Sequence, residues 1–108
     1  MHDKVLDLFE NHKIHMNENL NIMDIANLTG TNRTYISHLI NQYYQQNFCT
    51  FVNTFRIKEV KSYIKSDPTC TNNILAEKCG FSSTDSLKRV VKNLTGMTVT
   101  ELKNDLTK

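Results

Sequence analysis

The feature that most constrains this chain is a repeat in its apolar register. Ile25-Ala26-x-x-x-Gly30 recurs as Leu75-Ala76-x-x-x-Gly80, at an offset of 50 residues. One additional residue in the second turn makes the offset 51 thereafter. Ile36, Leu39, Ile40 and Tyr43 then fall on Leu87, Val90, Val91 and Leu94, and Asn47, Phe51 and Phe55 fall on Thr98, Leu102 and Leu106. Spacing at i, i+3, i+4 and i+7 is the buried stripe of an amphipathic helix. A register held through three successive helices predicts a duplicated helix-turn-helix rather than two unrelated hairpins. With 108 residues to divide, each unit alone is near the lower size limit for independent stability, so the two are expected to be tied together.

The local signals give the same division. Val5, Leu8 and Phe9 give helical spacing from about Asp3 to His12. Ile22, Ile25, Ala26 and Leu28 give a short helix from Asn21 or Ile22 to Leu28, ended by Gly30. Asn32 is the expected cap of a helix running from Arg33 to about Tyr44, and Asn47 a cap after the Gln45-Gln46-Asn47 break. The longest helix is predicted from about Cys49 to Lys65, with Phe51, Val52, Phe55, Val60, Tyr63 and Ile64 apolar and Asp67-Pro68 as its stop. Ile74, Leu75 and Ala76 begin the next apolar side. Cys79-Gly80-Phe81 breaks it, and Gly80 can take the positive φ of such a corner. Ser82 is the expected N-cap of the following helix, with Asp85 three residues on in a capping-box pattern. Thr98 is the expected cap of a last helix over about Thr100 to Leu106. Strict alternation over four or more residues is absent, so the predicted class is all-α. The expected division is 1–48 as a first lobe, 49–66 as a linker helix and 67–108 as a second lobe.

The outward faces carry the chemistry. On the second unit they are Thr84, Asp85, Lys88, Arg89 and Lys92; on the first, Arg33, Thr34, Ser37, His38 and Asn41. A helix with a packed back and an exposed row of hydrogen-bonding and basic side chains suits a DNA major groove, although the same pattern also describes a solvated surface helix. Charge distribution favours the former. Residues 1–50 hold three basic and five acidic side chains, residues 51–108 ten and six, and no acid occurs between Asp24 and Glu59. Phosphates would repel carboxylates along such a gap.

Other classes fall away. Three cysteines, Cys49, Cys70 and Cys79, argue against a disulfide framework and for a reducing compartment, hence an expected cytoplasmic location. No apolar run reaches membrane-spanning length. His12 and His15 share a face at i, i+3 but lack a third ligand, so no metal is expected and they read as a solvated helix end. There is no Gly-rich phosphate loop, no nucleophile with a plausible base and no carboxylate pair. No enzyme activity and no cofactor are expected.

Ala76-Glu77-Lys78-Cys79-Gly80-Phe81-Ser82-Ser83, followed by Arg89, Lys92 and Thr95-Gly96-Met97-Thr98, resembles the DNA-binding domain of AraC/XylS-type bacterial transcription regulators. Asp24-Ile25-Ala26, Gly30, Asn32-Arg33, Tyr35-Ile36-Ser37, Leu39, Phe48 and Phe51 match more loosely, as does Arg56-Ile57. The resemblance runs from about Leu20 to Leu106. It implies about seven helices forming two homeodomain-like helix-turn-helix subdomains in tandem on one long helix, with both recognition helices entering adjacent major-groove segments of double-stranded DNA. Carried over position by position, the base-reading residues are Thr34, Ser37 and His38, then Thr84, Asp85 and Arg89. The expected phosphate contacts are Arg33, Asn41, Ser83, Lys88 and Lys92. RNA polymerase and a separate sensor or dimerisation domain are the further partners that the resemblance suggests.

Some positions depart from the family pattern. Gln45 stands where glycine is usual, predicting a different turn after the first recognition helix. His38 and Asn41 replace frequent basic residues, leaving the second unit as the electrostatic anchor. Asn72 replaces an aliphatic residue. The competing reading is a helical protein-interaction module that keeps the fold and binds DNA weakly or not at all.

Overall fold

A computed structural model describes residues 1–108. It contains seven α-helices and no strand: α1 (His2–Glu10), α2 (Ile22–Thr29), α3 (Arg33–Tyr44), α4 (Phe48–Ser66), α5 (Asn72–Lys78), α6 (Thr84–Thr95) and α7 (Val99–Leu106), with one 3₁₀ turn at Ile14–Met16. The molecule is elongated, 42 × 22 × 22 Å. None of its helices is long and apolar enough to cross a membrane.

The helix starts follow from their caps. The side chains of Asn32, Asn47 and Thr98 accept from the N–H of Tyr35, Thr50 and Glu101 at 2.9, 2.8 and 3.2 Å. Asn21 and Asp24 close a reciprocal box. Each such cap is worth about 1 kcal/mol. The cap of α6 is Ser83, accepting from Ser86 N–H at 3.1 Å, and not Ser82; Asp85 forms no capping box. The repeat already carries this answer, because an offset of 51 takes Asn32 to Ser83.

The duplication is visible in the backbone. Both α3 and α6 have twelve residues, and both turns close with the same bond, Thr31 N–H to Ala26 O at 2.9 Å and Phe81 N–H to Ala76 O at 3.0 Å. Two cores result. Val5, Phe9, Ile25, Ala26, Ile36, Leu39, Ile40, Phe51, Val52 and Phe55 fill the first. Ile57, Val60, Ile64, Leu75, Leu87, Val90, Val91, Val99 and Leu102 fill most of the second. Helix α4 therefore contributes its first half to one core and its second half to the other. Ile57 belongs with these apolar positions although its spacing did not single it out.

Four expected core residues lie outside. Tyr43 is 56% exposed and Leu94 40%. They occupy equivalent positions, where the last turns of α3 and α6 run past their cores. In the first lobe Tyr44 packs instead, its ring 4.8 Å from Phe51, while Tyr43 stacks on His2 at 4.2 Å. Leu28 and Ile74 are also exposed.

The turn after α3 does not change shape to suit Gln45. Gln45 itself adopts the left-handed conformation, φ 50° and ψ 38°, that Gly96 holds after α6 at φ 76°. A side chain there costs about 1–2 kcal/mol, whereas glycine adds about 0.5–1 kcal/mol of unfolded-chain entropy. Strain is the larger effect, so Gln45→Gly should stabilise the protein by about 0.5–1 kcal/mol. A urea midpoint that fails to rise would show that the turn relaxes around Gln45.

A polar seam joins the lobes. His15, expected at a solvated helix end, is 2% exposed. Its ring lies 5.6 Å from Phe55, and its Nε2 donates to Glu59 Oε1 at 3.2 Å, as only a donor can meet a carboxylate. Burial holds the imidazole below its usual pKa despite the pull of Glu59. Arg56, one turn earlier on α4, donates to His15 O at 2.8 Å and Asn17 O at 2.9 Å. The same guanidinium lies 5.9 Å from the centre of the Phe81 ring, so one side chain touches both lobes. Gly80 completes the contact: a methyl group added there would meet His15 O at 2.4 Å and Met16 Cα at 3.0 Å. Beside it, burial pushes the Cys79 thiol up to about 12, the behaviour of an inert packing group.

Candidate nucleic-acid interface

Packing decides which side chains α3 and α6 present. Ile36, Leu39 and Ile40 turn α3 inward, which leaves Arg33, Thr34, Ser37, His38 and Asn41 exposed. These five line one shallow concavity of about 360 Å³. No residue from elsewhere in the chain contributes to it, so it is the outer surface of one helix. Only Arg33 among them carries a fixed charge.

On α6, Leu87, Val90 and Val91 face the second core, and Asp85, Lys88, Arg89 and Lys92 are exposed. Lys88, Arg89 and Lys92 line a larger concavity of about 570 Å³ with Asn72, Thr98 and Thr100. Thr84 is half-buried and belongs to a separate depression with Glu18, Asn73, Glu77 and Ser83. Asp85 lines neither. Because Ser83 caps the helix, Asp85 is available in the first turn, where its charge favours the positive helix end. Ser83 accepts a bond from the backbone, and its hydroxyl hydrogen remains for an outside acceptor.

Lys92 reaches the turn that ends its own helix. Its Nζ donates to Gly96 O at 3.1 Å, a favourable position for a cation at a helix C-terminus. Asn72, Thr98 and Thr100 are the lining residues that sequence reasoning did not place at the interface. Thr98 reads as a cap and Asn72 as a packing position; only three helices coming together at one point give them a common surface.

The two concavities lie on equivalent helices of a duplicated unit, one at each half of α4. A family profile described as a helix-turn-helix domain matches residues 25–105, which takes in both units. No curated protein sequence matches the chain. Solved structures of similar shape include a transcriptional regulator of AraC-type DNA-binding domain-containing proteins from Chromobacterium violaceum, 19% identical, covering 100% of this chain and 98% of that one with a TM-score of 0.77. The C-terminal domain of AraT, a response regulator from Geobacillus stearothermophilus, is 16% identical over 86% of this chain and 76% of its own, with a TM-score of 0.78. A Listeria innocua protein of unknown function is 18% identical, with coverage of 97% and 96% and a TM-score of 0.82. At such identities these likenesses concern the fold. The match to the helix-turn-helix profile across most of its length places this chain in the AraC-type helix-turn-helix family of DNA-binding transcription regulators.

Proposed function

We propose that the chain reads double-stranded DNA sequence-specifically in bacterial transcription regulation, with α3 and α6 in adjacent major-groove segments. The observation that carries this reading is the equivalence of the two exposed faces: two twelve-residue helices, in the same place in each unit, each turning a polar or basic row outward. Adjacent major-groove segments are about 34 Å apart, within the 42 Å length of the molecule. Residues 1–48 and 67–108 act as two readers, and 49–66 holds them apart as one binding domain in the cytoplasm.

Thr34, Ser37 and His38 read bases in the first segment, and Thr84, Asp85 and Arg89 in the second. Arg89 pairs with guanine, the commonest specific contact, and Asp85 accepts from a cytosine amino group. Arg33, Asn41, Ser83, Lys88 and Lys92 bind phosphates, which sets position without reading sequence. The family is one of DNA-binding regulators and not an enzyme class, so the mechanism is recognition alone. RNA polymerase and a sensor or dimerisation domain are the partners through which binding would become regulation. A protein-interaction role has one observation in its favour, the exposed Met23 and Leu28 on α2, Leu28 being 62% exposed.

Selection of bound duplexes from a random pool at two salt concentrations tests the reading. A recovered motif with two segments and steeply salt-dependent affinity supports it; flat salt dependence without enrichment favours the interaction module. On the selected duplex, Arg89→Ala should cost roughly 1–3 kcal/mol and relax specificity at one position. An equal loss on every sequence would make Arg89 a phosphate contact. Lys92→Ala should weaken binding evenly and lower the salt slope by about one; an unchanged slope would remove Lys92 from the interface.

A further inference from the structure

The geometry points to a seat for a single DNA backbone phosphate, built by three helices, in which Asn72 and Thr100 are binding residues alongside the α6 cations. It rests on the DNA-binding reading above and extends the interface beyond the recognition helix. Lys88, Arg89 and Lys92 converge on one concavity with Asn72, the first residue of α5, and Thr98 and Thr100 at the start of α7. Lys88 and Lys92, with the amide and hydroxyl donors beside them, make an anion site, and Val99 completes its lining.

The structural duties at this point are performed by other groups. Thr71 and Thr98 cap α5 and α7 through Ile74 N–H and Glu101 N–H, each at 3.2 Å, so the side chains of Asn72 and Thr100 are not needed as caps. The nearby carboxylate of Glu101 accepts from Thr98 N–H at 3.2 Å, and that bond keeps it ionised below the usual carboxylate range. Its charge is therefore engaged in the cap. Lys92, bonded to Gly96 O, keeps two of its three N–H groups for an incoming anion.

The occupant is backbone phosphate and not a base edge. The concavity lies between α6 and the ends of two other helices, and of its lining only Arg89 is assigned to a base. The seat is also one-sided. The repeat places Ile22 and Cys49 where Asn72 and Thr100 stand, and neither offers a comparable donor. The second lobe thus grips the strand at a point the first cannot, which fixes the register of α6 along the groove.

The test is a coupling measurement by fluorescence anisotropy on the selected duplex and on a random duplex of equal length. Asn72→Ala and Thr100→Ala should each weaken binding about tenfold on both duplexes, the loss of one hydrogen bond to a charged group, with the salt slope unchanged because neither carries charge. Thermal melting of each variant checks that the fold is intact. Methylphosphonates are then introduced one at a time along the selected duplex. At one position the penalty seen with the unaltered protein should largely vanish in the double variant. Additive penalties at every position, or losses confined to the selected duplex, would overturn the seat. If the unaltered protein fails to bind duplex DNA, the DNA-binding reading falls and the seat with it; binding that the two substitutions leave untouched removes the seat alone. Displacement by inorganic phosphate at matched ionic strength, without methylphosphonate coupling, would assign the site to a free anion and overturn the duplex assignment.

Discussion

Gly80→Ala should destabilise the protein by about 2–5 kcal/mol, combining about 1–2 kcal/mol for a side chain in the left-handed region with about 1–3 kcal/mol for overpacking. The residue's φ is +85°, and its missing side chain is the space occupied by His15 O at 2.4 Å. Two of the obstructing atoms are backbone, so rotamer changes cannot relieve the clash. The 3₁₀ turn must move as a body, and in doing so it stretches the 2.8 Å bond from Arg56 Nε to His15 O. Against a total stability of about 5–15 kcal/mol for a typical domain, such a loss leaves a large unfolded population at modest urea. Urea titration followed by helical circular dichroism measures it. A loss under about 1 kcal/mol would mean that the 3₁₀ turn gives way freely and that the seam has little rigidity.

Arg56→Met should cost about 1–3 kcal/mol, since it leaves the half-buried carbonyl of His15 without its donor, while the exposed carbonyl of Asn17 can turn to water. Methionine preserves the aliphatic length, so the effect comes from the guanidinium. That group is partly desolvated, which lowers its pKa from the usual arginine value, and it donates to His15 O and Asn17 O while facing Phe81. Arg56→Lys should recover only part of the loss, because an ammonium on a flexible stem does not reproduce a planar fork. Hydrogen exchange gives the location. Faster exchange at the 3₁₀ turn and the Gly80–Phe81 corner, with the amides of both cores still protected, is the expected pattern; uniform acceleration would mean that Arg56 supports a core instead. On the DNA-binding reading proposed above, the variant should also bind a two-segment duplex less tightly while α3 and α6 keep their sequence preferences.

Much of the helical plan was legible because its determinants are local. Asn32, Asn47 and Thr98 cap the helices that their spacing assigned to them, and the exposed rows of α3 and α6 follow from where Ile36 and Leu87 must go. Ser82 was a local choice that the repeat, read strictly, corrects to Ser83. Tyr43 and Leu94 had the right period at the wrong place: a periodic pattern does not say where the core ends beneath a helix. The seam was illegible for a different reason. His15 and Arg56 meet across 41 residues of sequence, and nothing near His15 marks it as buried. The same holds for Asn72 and Thr100, whose relation to Lys92 exists only once three helices are assembled.

The unequal surroundings of the two turn glycines have a consequence for how such a chain can diverge. Around Gly30 nothing lies within 4 Å of an added methyl, while Gly80 is pressed against the opposite lobe. Asparagine, which tolerates the left-handed region, is therefore admissible at Gly30 and blocked at Gly80. The units descend from one pattern but are no longer interchangeable modules. A chimera carrying two copies of the first unit would close both cores and yet lack the mating surface that orients them, becoming two units on a rod with no fixed angle between them.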